Sequence, residues 1–574
     1  MSRLYTVLNI QPEEWPRISK AWLTIFLSRF GFIVGWSTLT ALFLSKVGIQ
    51  FLPTLFLANA LLVVFGTFLF KPLTHRFSKE LLMAFSLLTA VSLLLTAALL
   101  FEIGSLGFFI LVLIAESIAL AQFLIQLSLF NESLFSPSES QRAFPLIESA
   151  EIFGGVVGGL TLTLLANEIA SYKFILIWGL ALLAILPIIL SVPGKSEHQS
   201  KKSLHGLMKA GKRFHKTPFL KSLMLLMLLH WGIMNLIEFQ YTKAIQQNIY
   251  EQQEETLLEQ TDVILAEESH NYEQEIAHQL GVMHFMFNSF ALALQLLLAS
   301  RILTQLGIAS SILVHPIMTI MTGLALFLRF GLFTAVLARG SYELTGLLFK
   351  SAYDASYYAV PHENRSDMKE LCQGIMKPVG AILGTVIIVA IALTTDSWVQ
   401  SALLNGIILI LSLTMILLAR NLNKKFTQLC EQNLDRKWDT ETRANAIEVL
   451  AQNGHEGGLR KLKALLKSPN ESIEIKKHVL KTLSQREEKA WTFAILELLK
   501  HPHVELREEA ALCLKKRMEN PNLRPEINTH RKLLEKIEDF LEKEESILAK
   551  SLLAETTKLL KTPALLYAEV LDPL

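Results

Sequence analysis

Long apolar runs separated by short polar segments fill the first 420 residues of the chain. Each run is about 20 residues long, the length of α-helix that crosses a hydrocarbon core roughly 30 Å thick. We place twelve such runs, six on either side of a polar stretch, at 21–45, 53–70, 80–101, 107–130, 146–166, 174–192, 219–242, 279–300, 309–328, 332–358, 375–394 and 398–419. The pattern predicts an all-α polytopic membrane protein made of two six-helix, pseudo-symmetric bundles.

This pattern divides the chain into four predicted domains. They are a membrane bundle over 1–192, a basic linker over 193–218, a second membrane bundle over 219–420 and a soluble region over 421–574. The apolar residues of the linker share one helical face, which is typical of a helix lying on the inner membrane surface. A flexible linker explains the same residues equally well.

The basic residues of the short loops predict the orientation of the membrane part. With the N-terminus inside, the inner segments hold 22 Lys and Arg residues and the outer segments hold 4. Positive residues concentrate on the cytoplasmic side of membrane proteins. We therefore expect a multi-pass protein of the inner (cytoplasmic) membrane with both termini in the cytoplasm.

The region after residue 420 changes character, because 421–574 carries 52 charged residues and the preceding 420 carry 54. A phrase of the form Leu-Leu-Lys-x-Pro occurs at Leu465–Pro469, Leu498–Pro502 and Leu559–Pro563. A second phrase interleaves with it at Arg443, Ala446 and Leu450, at Lys476, Val479 and Leu483, and at Arg507, Ala510 and Leu514. Repeats of this length indicate an α-solenoid, and the region resembles a HEAT-repeat array that presents a surface to a protein partner.

Composition and motifs argue against several other classes of protein. The net charge of +2 gives no basic field for nucleic acid, and the three cysteines have no metal-site or disulfide spacing. The sequence contains no Walker A loop, HExxH or GxSxG motif. We therefore expect no enzyme activity, no cofactor and no metal, and any transport must draw on a gradient or on exchange.

The tenth apolar run carries the strongest candidate site, since charged residues in membrane spans are costly and usually functional. Arg339, Glu343, Lys350 and Asp354 fall within 60° of one another on a helix that turns about 100° per residue. This stripe predicts a cleft between the bundles. The alternative is that two i,i+4 pairs, Arg339–Glu343 and Lys350–Asp354, neutralise each other and only fix helix packing.

Weaker candidates lie in other spans. Arg29 could receive an anionic group or pair with a carboxylate of another span, and Glu116 could face the cleft or serve helix packing. His230 and Glu238 share an arc with Tyr241, an arrangement that suits proton coupling. A hydrogen-bonded packing role for His230 is the more common alternative, and we interpret His315 as structural.

An offset of 226 residues relates the two halves. Gly154 and Gly158 correspond to Gly380 and Gly384, and both pairs form a GxxxG motif, which lets membrane helices approach closely. The same offset relates Glu151 to Lys377. Opposite charges at these equivalent positions suggest an inner gate that breaks when the transporter opens inward.

Several of these stretches resemble the nucleotide transporter (ATP/ADP translocase) family, which belongs to or sits beside the major facilitator superfamily. They are Phe130–Glu132, Gln141–Ile147, the 154–159 glycine run, Ser341–Leu344, Phe349–Lys350, Val360–Pro361 and Met376–Gly380. The resemblance covers the membrane half and implies a twelve-helix transporter fold with a nucleotide as solute. Bacterial members fused to HEAT repeats look similar to this chain.

Two features depart from that family. The loop between the second and third spans reads His75-Arg76-Phe77-Ser78-Lys79, without the acidic residue expected before the basic one. The charges inside the spans are also not positive in sum, whereas nucleotide phosphates need a positive cleft. A smaller solute, a zwitterion or an amphiphile fits this charge count no worse.

Two classes of function therefore follow from the sequence. The first is a secondary transporter that moves a small solute, such as a nucleotide, across the bilayer by alternating access, with the solenoid regulating it or binding a partner. The second is a membrane-tethered scaffold or sensor in which the solenoid acts and transport has been lost. Charges buried in spans favour the first, because an inert anchor gains nothing from them.

Overall fold

The structure is a computed structural model, which describes residues 14–70, 72–73, 76–134, 137–191, 217–259, 265–294, 300–393, 397–436, 439–453, 456–484, 490–520 and 527–561. These residues form helices and connecting turns and contain no β-strand, which confirms the predicted all-α class. The chain divides into two compact units, one of 1–355 with 364–423 and one of 356–363 with 424–574. Most of the predicted 193–218 linker lies outside the described residues.

The first unit contains the long helices. They are α1 Trp15–Lys46, α2 Leu52–Phe70, α3 Lys79–Leu100, α4 Ser105–Ile114, α5 Ala121–Leu134, α6 Pro137–Leu165, α7 Phe174–Leu183, α8 Leu186–Leu190, α9 Pro218–Glu259, α10 Leu265–Leu294, α11 Ser300–Leu328, α12 Leu332–Ser356, α13 His362–Leu371, α14 Lys377–Ala392 and α15 Ser397–Arg420. Helices α4 and α5 form one span with the turn between them, and so do α7 and α8.

Ten candidate membrane spans in the described part of the chain are long and apolar enough to cross a bilayer. The two other predicted spans correspond to α10 and α12, which are helical but are not among those ten. Helix α12 carries the four charged residues of the predicted stripe, which lower its hydropathy. The total of twelve spans stays a prediction.

The outward faces of these helices suit a lipid environment. On α2, Leu61, Phe65 and Leu69 follow at four-residue intervals and are each about half exposed. Large apolar side chains exposed in a row mark a surface that contacts lipid or protein. The first unit is therefore built for a bilayer.

Glycines produce the closest helix contacts, and they do so in the same way in both halves. A Cβ at Gly158 of α6 would lie 3.0 Å from Ile33 Cβ of α1, and one at Gly384 of α14 would lie 2.6 Å from Gly232 O of α9. Helices α1 and α9 open the two halves, and α6 and α14 are the fifth spans of each. The repeated glycine pair thus makes equivalent contacts in each bundle.

Two π-helical turns interrupt the spans and pack against α2. Ala115–Leu120 joins α4 to α5, and Cys372–Met376 precedes α14. Thr67 of α2 donates a hydrogen bond to Gly374 O at 3.3 Å, and Gln122 Nε2 donates to Thr67 Oγ1 at 3.0 Å. Such turns often occur at functional positions, and here one turn comes from each half.

The second unit consists of short helices, which are α16 Leu422–Asn433, α17 Thr440–Asn453, α18 Glu456–Lys467, α19 Ile473–Ser484, α20 Ala490–Leu498, α21 Val504–Glu519, α22 Ile527–Lys543 and α23 Ile547–Lys561. The Leu-Leu-Lys-x-Pro phrases fall where α18, α20 and α23 end, since proline disfavours helix in the residue before it. Ala446, Leu450, Val479, Ala510 and Leu514 of the second phrase are fully buried.

The segment 356–363 packs within this second unit. Its Ala359 carbonyl accepts a hydrogen bond of 2.7 Å from the buried Asn433 Nδ2 of α16. Tyr357, Ala359 and Val360 are at most 2% exposed. A short stretch between two long helices of the first unit is therefore part of the core of the second.

Candidate functional site

Helix α12 places its charged stripe against helices of both halves. Arg339 Nε donates a hydrogen bond of 2.5 Å to Glu238 Oε2 of α9, and Arg339 Nη1 donates one of 2.8 Å to Glu343 Oε2 one turn along α12. The i,i+4 pair expected as an alternative therefore forms. Arg339 also reaches beyond it to a second helix.

Arg29 of α1 extends this network into the first half of the unit. Its Nη2 lies 3.4 Å from Glu343 Oε1, so Glu343 lies between one guanidinium from each half. Arg29 Nε is buried and has no hydrogen-bond partner among the described residues. We name Arg29, Glu238, Arg339 and Glu343 the central ion cluster.

The cluster is buried to different degrees. The side chains of Arg339 and Glu343 are 7% and 13% exposed, while those of Glu238 and Arg29 are 22% and 25% exposed. Charged groups within a bilayer do not face lipid. Arg29 and Glu238 are therefore the partly accessible members of the cluster.

A second ion pair joins the halves farther along α12. Lys350 Nζ lies 2.5 Å from Glu151 Oε2 of α6, with side chains 50% and 31% exposed. Lys350 follows Glu343 by seven residues, which is roughly 10 Å along a helix. Asp354, one turn beyond, is half-buried and interacts electrostatically with Lys350.

The predicted gate residues Glu151 and Lys377 do not pair directly with each other in the structure. Glu151 binds Lys350, and Lys377 Nζ lies 3.9 Å from the ring centroid of Trp231. Lys377 also interacts electrostatically with Glu151 and Glu116. The direct contact that Glu151 makes across the two halves is therefore with Lys350.

Glu116 lies apart from the central ion cluster, in the first π-helical turn. It accepts a hydrogen bond of 3.0 Å from Ser117 Oγ. Its electrostatic partner from the second half is Lys377. Because both π-helical turns pack against α2, they place Glu116 and Lys377 on the same side of the unit.

His230 belongs to a buried chain of hydrogen bonds, which we name the histidine relay. His230 Nδ1 lies 3.0 Å from His315 Nε2 of α11 and 3.0 Å from the Tyr342 hydroxyl. His315 Nδ1 lies 2.8 Å from Thr345 Oγ1. The relay joins three helices of the second half, α9, α11 and α12, next to the central ion cluster.

Three residues of this region were not predicted from the sequence. His284 of α10 interacts electrostatically with all four members of the central ion cluster, and its buried Nδ1 has no hydrogen-bond partner in the described part of the chain. It lies in a predicted span, so the rule that selected the other ionisable residues would also have found it. Tyr342 and Thr345 gave no such signal.

Among the described residues no group of His, Cys, Asp and Glu could hold a metal ion.

Comparison with known proteins shows the fold of each unit. The crystal structure of the POT family transporter PepTSo matches with a TM-score of 0.52 at 14% identity, covering 71% of this chain and 99% of that one. A mutant of the nucleoside transporter NupG matches with a TM-score of 0.50 at 14% identity, covering 71% and 99%. The sequence model of the HEAT-repeat family matches residues 427–515.

These matches confirm the predicted combination of folds, a membrane fold similar to that of solved transporters followed in the same chain by HEAT repeats. At 14% identity the structural likeness concerns the fold alone. No curated protein matches the sequence.

Proposed function

We propose that this protein is a secondary active transporter that moves a small solute across a bilayer by alternating access. The moving parts are the bundles 1–192 and 219–420, and the solute site is the central ion cluster between them. One observation carries the proposal. In a unit with a transporter fold, Glu343 and Lys350 on one helix hold ion pairs to the opposite half.

Ion pairs of this kind suit a carrier better than a rigid anchor. Each charge inside a bilayer is costly unless it is paired, so retained charges mark a pathway or a switch. The two pairs break when the halves separate, and a solute can replace the partner that each charge loses. Alternating access then requires no buried charge to stay uncompensated.

The location follows from the loop charges. The short loops place both termini in the cytoplasm and the spans in the inner membrane. The HEAT repeats of 421–574 then lie in the cytoplasm, where they regulate transport or bind a protein partner. The basic linker 193–218 joins the bundles on the same side.

A ligand screen followed by a transport assay tests the proposal. The purified full-length protein is heated with nucleotides, nucleosides, amino acids, short peptides and sugars, because a ligand that binds only the folded state raises the melting temperature. Each compound that does so is then assayed for counterflow in proteoliposomes. We expect solute-dependent counterflow, which Glu343→Gln abolishes and Arg329→Gln, at an exposed position outside the cluster, leaves intact.

The second candidate is a membrane-tethered scaffold or sensor, favoured by the appended HEAT repeats. It predicts that no stabilising compound is ever transported and that Glu343→Gln keeps the cellular role of the protein. Truncation near residue 424 is a poorer test, because 356–363 packs within the second unit. Full-length variants separate the two functions without disturbing that segment.

A further inference from the structure

The central ion cluster balances its own charge. It holds two guanidinium groups, Arg29 and Arg339, and two carboxylates, Glu238 and Glu343. With histidine counted as neutral, the formal charge of the cluster and His284 is zero. The second interhalf pair, Glu151 and Lys350, is balanced as well.

The bonding inside the cluster is uneven. Arg339 binds both carboxylates at 2.5 and 2.8 Å, whereas Arg29 reaches only Glu343, at 3.4 Å. A guanidinium has five N–H donors in a fixed fork, and Arg29 Nε is buried without a partner among the described residues. His284 Nδ1 is likewise buried without a hydrogen-bond partner among the described residues. Arg29 therefore has binding capacity that the described residues do not use.

We propose that the central ion cluster binds a zwitterion, a solute of zero net charge with one anionic and one cationic group. This inference rests on the transport function proposed above and names the class of its solute. The anionic group binds Arg29 in place of Glu343. The cationic group binds Glu238 and the oxygen of Glu343 that Arg29 releases.

Charge balance is the reason for this choice. A zwitterion exchanges one weak ion pair for two ligand pairs and leaves every buried charge compensated. An anion such as a nucleotide diphosphate, or a simple cation, would leave an unpaired charge in a region of low dielectric constant, where such charges are strongly unfavourable. The resemblance to nucleotide transporters implies instead a preference for an anionic nucleotide. A comparison of ligands of different charge therefore distinguishes the two kinds of solute.

Binding by such a solute also connects the site to the motion. The Arg29–Glu343 contact joins the two halves of the first unit. A solute that inserts between these side chains replaces a direct link between halves by a link through itself. The bound solute then holds the halves together, as an occluded carrier requires.

The test uses the full-length purified protein and ligands that differ only in charge. Alanine, dialanine and trialanine are each compared in three forms: free (zwitterion), C-amidated (cation) and N-acetylated (anion). ADP serves as the nucleotide. We expect at least one free form to raise the melting temperature, and to bind at least tenfold more tightly than its amidated and acetylated forms.

Charge variants of the cluster sharpen the test. Arg29→Gln leaves the cluster with one excess negative charge, so the preferred form should become the amide. Glu238→Gln leaves one excess positive charge, so it should become the N-acetyl form. Arg329→Gln removes an exposed cation outside the cluster and should keep the wild-type order.

The outcomes separate this inference from the transport function. If ADP or a charged form binds best and undergoes counterflow, the zwitterion proposal is wrong and the protein is still a transporter. If no free form shifts the melting temperature, or if the charge variants leave the order unchanged, the proposal is also wrong. Stabilisation by a zwitterion without counterflow would support the site and contradict transport.

Discussion

Two hydroxyl protons fix the direction of the histidine relay. The single proton of Thr345 goes to Ser341 O at 2.8 Å, so Thr345 Oγ1 must accept a hydrogen bond from His315 Nδ1. In the neutral ring His315 Nε2 is then an acceptor, and His230 Nδ1 donates to it. The Tyr342 proton goes to His230 O at 2.5 Å, which agrees with the same assignment. His230 Nε2 is then the acceptor nitrogen of its ring.

Thr345→Val tests this assignment at a single residue. The change keeps the shape of the side chain but removes the acceptor of the buried His315 Nδ1–H, and such a loss costs about 1–3 kcal/mol. We expect a lower melting temperature for Thr345→Val and a value close to wild type for Thr345→Ser, which keeps the hydroxyl. Equal melting temperatures for the two variants would show that the hydroxyl is not an acceptor in the relay.

The sequence predicted individual residues best where their chemistry is unusual for a membrane span. Arg29, Glu238, Arg339 and Glu343 could all be found because charge in an apolar run is conspicuous. The partner choices could not, since pairing depends on which helices adjoin. The histidine relay shows the same limit. The sequence around His315, which precedes a proline, does not indicate that its side chain faces His230.

Among helices, the contact between α6 and α10 is set by glycine. A Cβ at Gly159 of α6 would collide with the backbone nitrogen of Phe285 and would lie 2.9 Å from Gly281 O. We expect Gly159→Ala to push the two helices apart and to lower the melting temperature. Gly179→Ala on α7 is the control, since nothing lies within 4 Å of its added methyl group. A stable Gly159→Ala protein would mean that this crossing is loose.

In the second unit, a buried ion pair makes stability depend on pH. Burial raises the pKa of Glu544, but hydrogen bonds from Arg507 and from the backbone N–H groups of Ser546 and Glu545 outweigh it, so the pKa lies below its usual range. A lowered pKa stabilises the fold above the unfolded-state value of about 4.3. This contribution is lost as the pH falls through the folded-state pKa.

Hydrogen exchange in α21 and α23 as a function of pH measures this effect. We expect protection of both helices to fall in acid in the wild type. Glu544→Gln should be less protected at neutral pH and should show a smaller acid dependence. An unchanged acid dependence in Glu544→Gln would assign the effect to other carboxylates.

Helices could be predicted from the sequence where their apolar or repeated residues recur at regular intervals. The Leu-Leu-Lys-x-Pro phrases marked helix ends because proline disfavours helix in the residue before it, although Pro316 lies inside the membrane helix α11. The π-helical turns at 115–120 and 372–376 could not be foreseen, since each inserts only one extra residue into a run that is otherwise helical. Likewise, the embedding of 356–363 in the second unit depends on tertiary packing of Tyr357 and Val360.

At the scale of the whole molecule, the proposed carrier mechanism requires contacts between the halves that can break and re-form. The pair of Glu151 with Lys350 is more exposed than the pair of Arg29 with Glu343. It also lies nearer the end of α12 that we propose faces the cytoplasm. Water reaches an exposed pair more easily and weakens it, so this pair is the better suited to open and close during a transport cycle.

Charge-reversal variants test which lysine is the gate partner of Glu151. Each single reversal, Glu151→Lys or Lys350→Glu, replaces the 2.5 Å ion pair by two like charges and should reduce counterflow at least tenfold. The double reversal restores opposite charges and should recover most of the activity. The double reversal with Lys377→Glu is the matched control, because Lys377 lies against Trp231, and it should stay inactive. Recovery of counterflow in the double reversal with Lys377, and not in the one with Lys350, would instead support the gate predicted from the internal repeat. In that case Glu151 and Lys377 would pair in another state of the transport cycle.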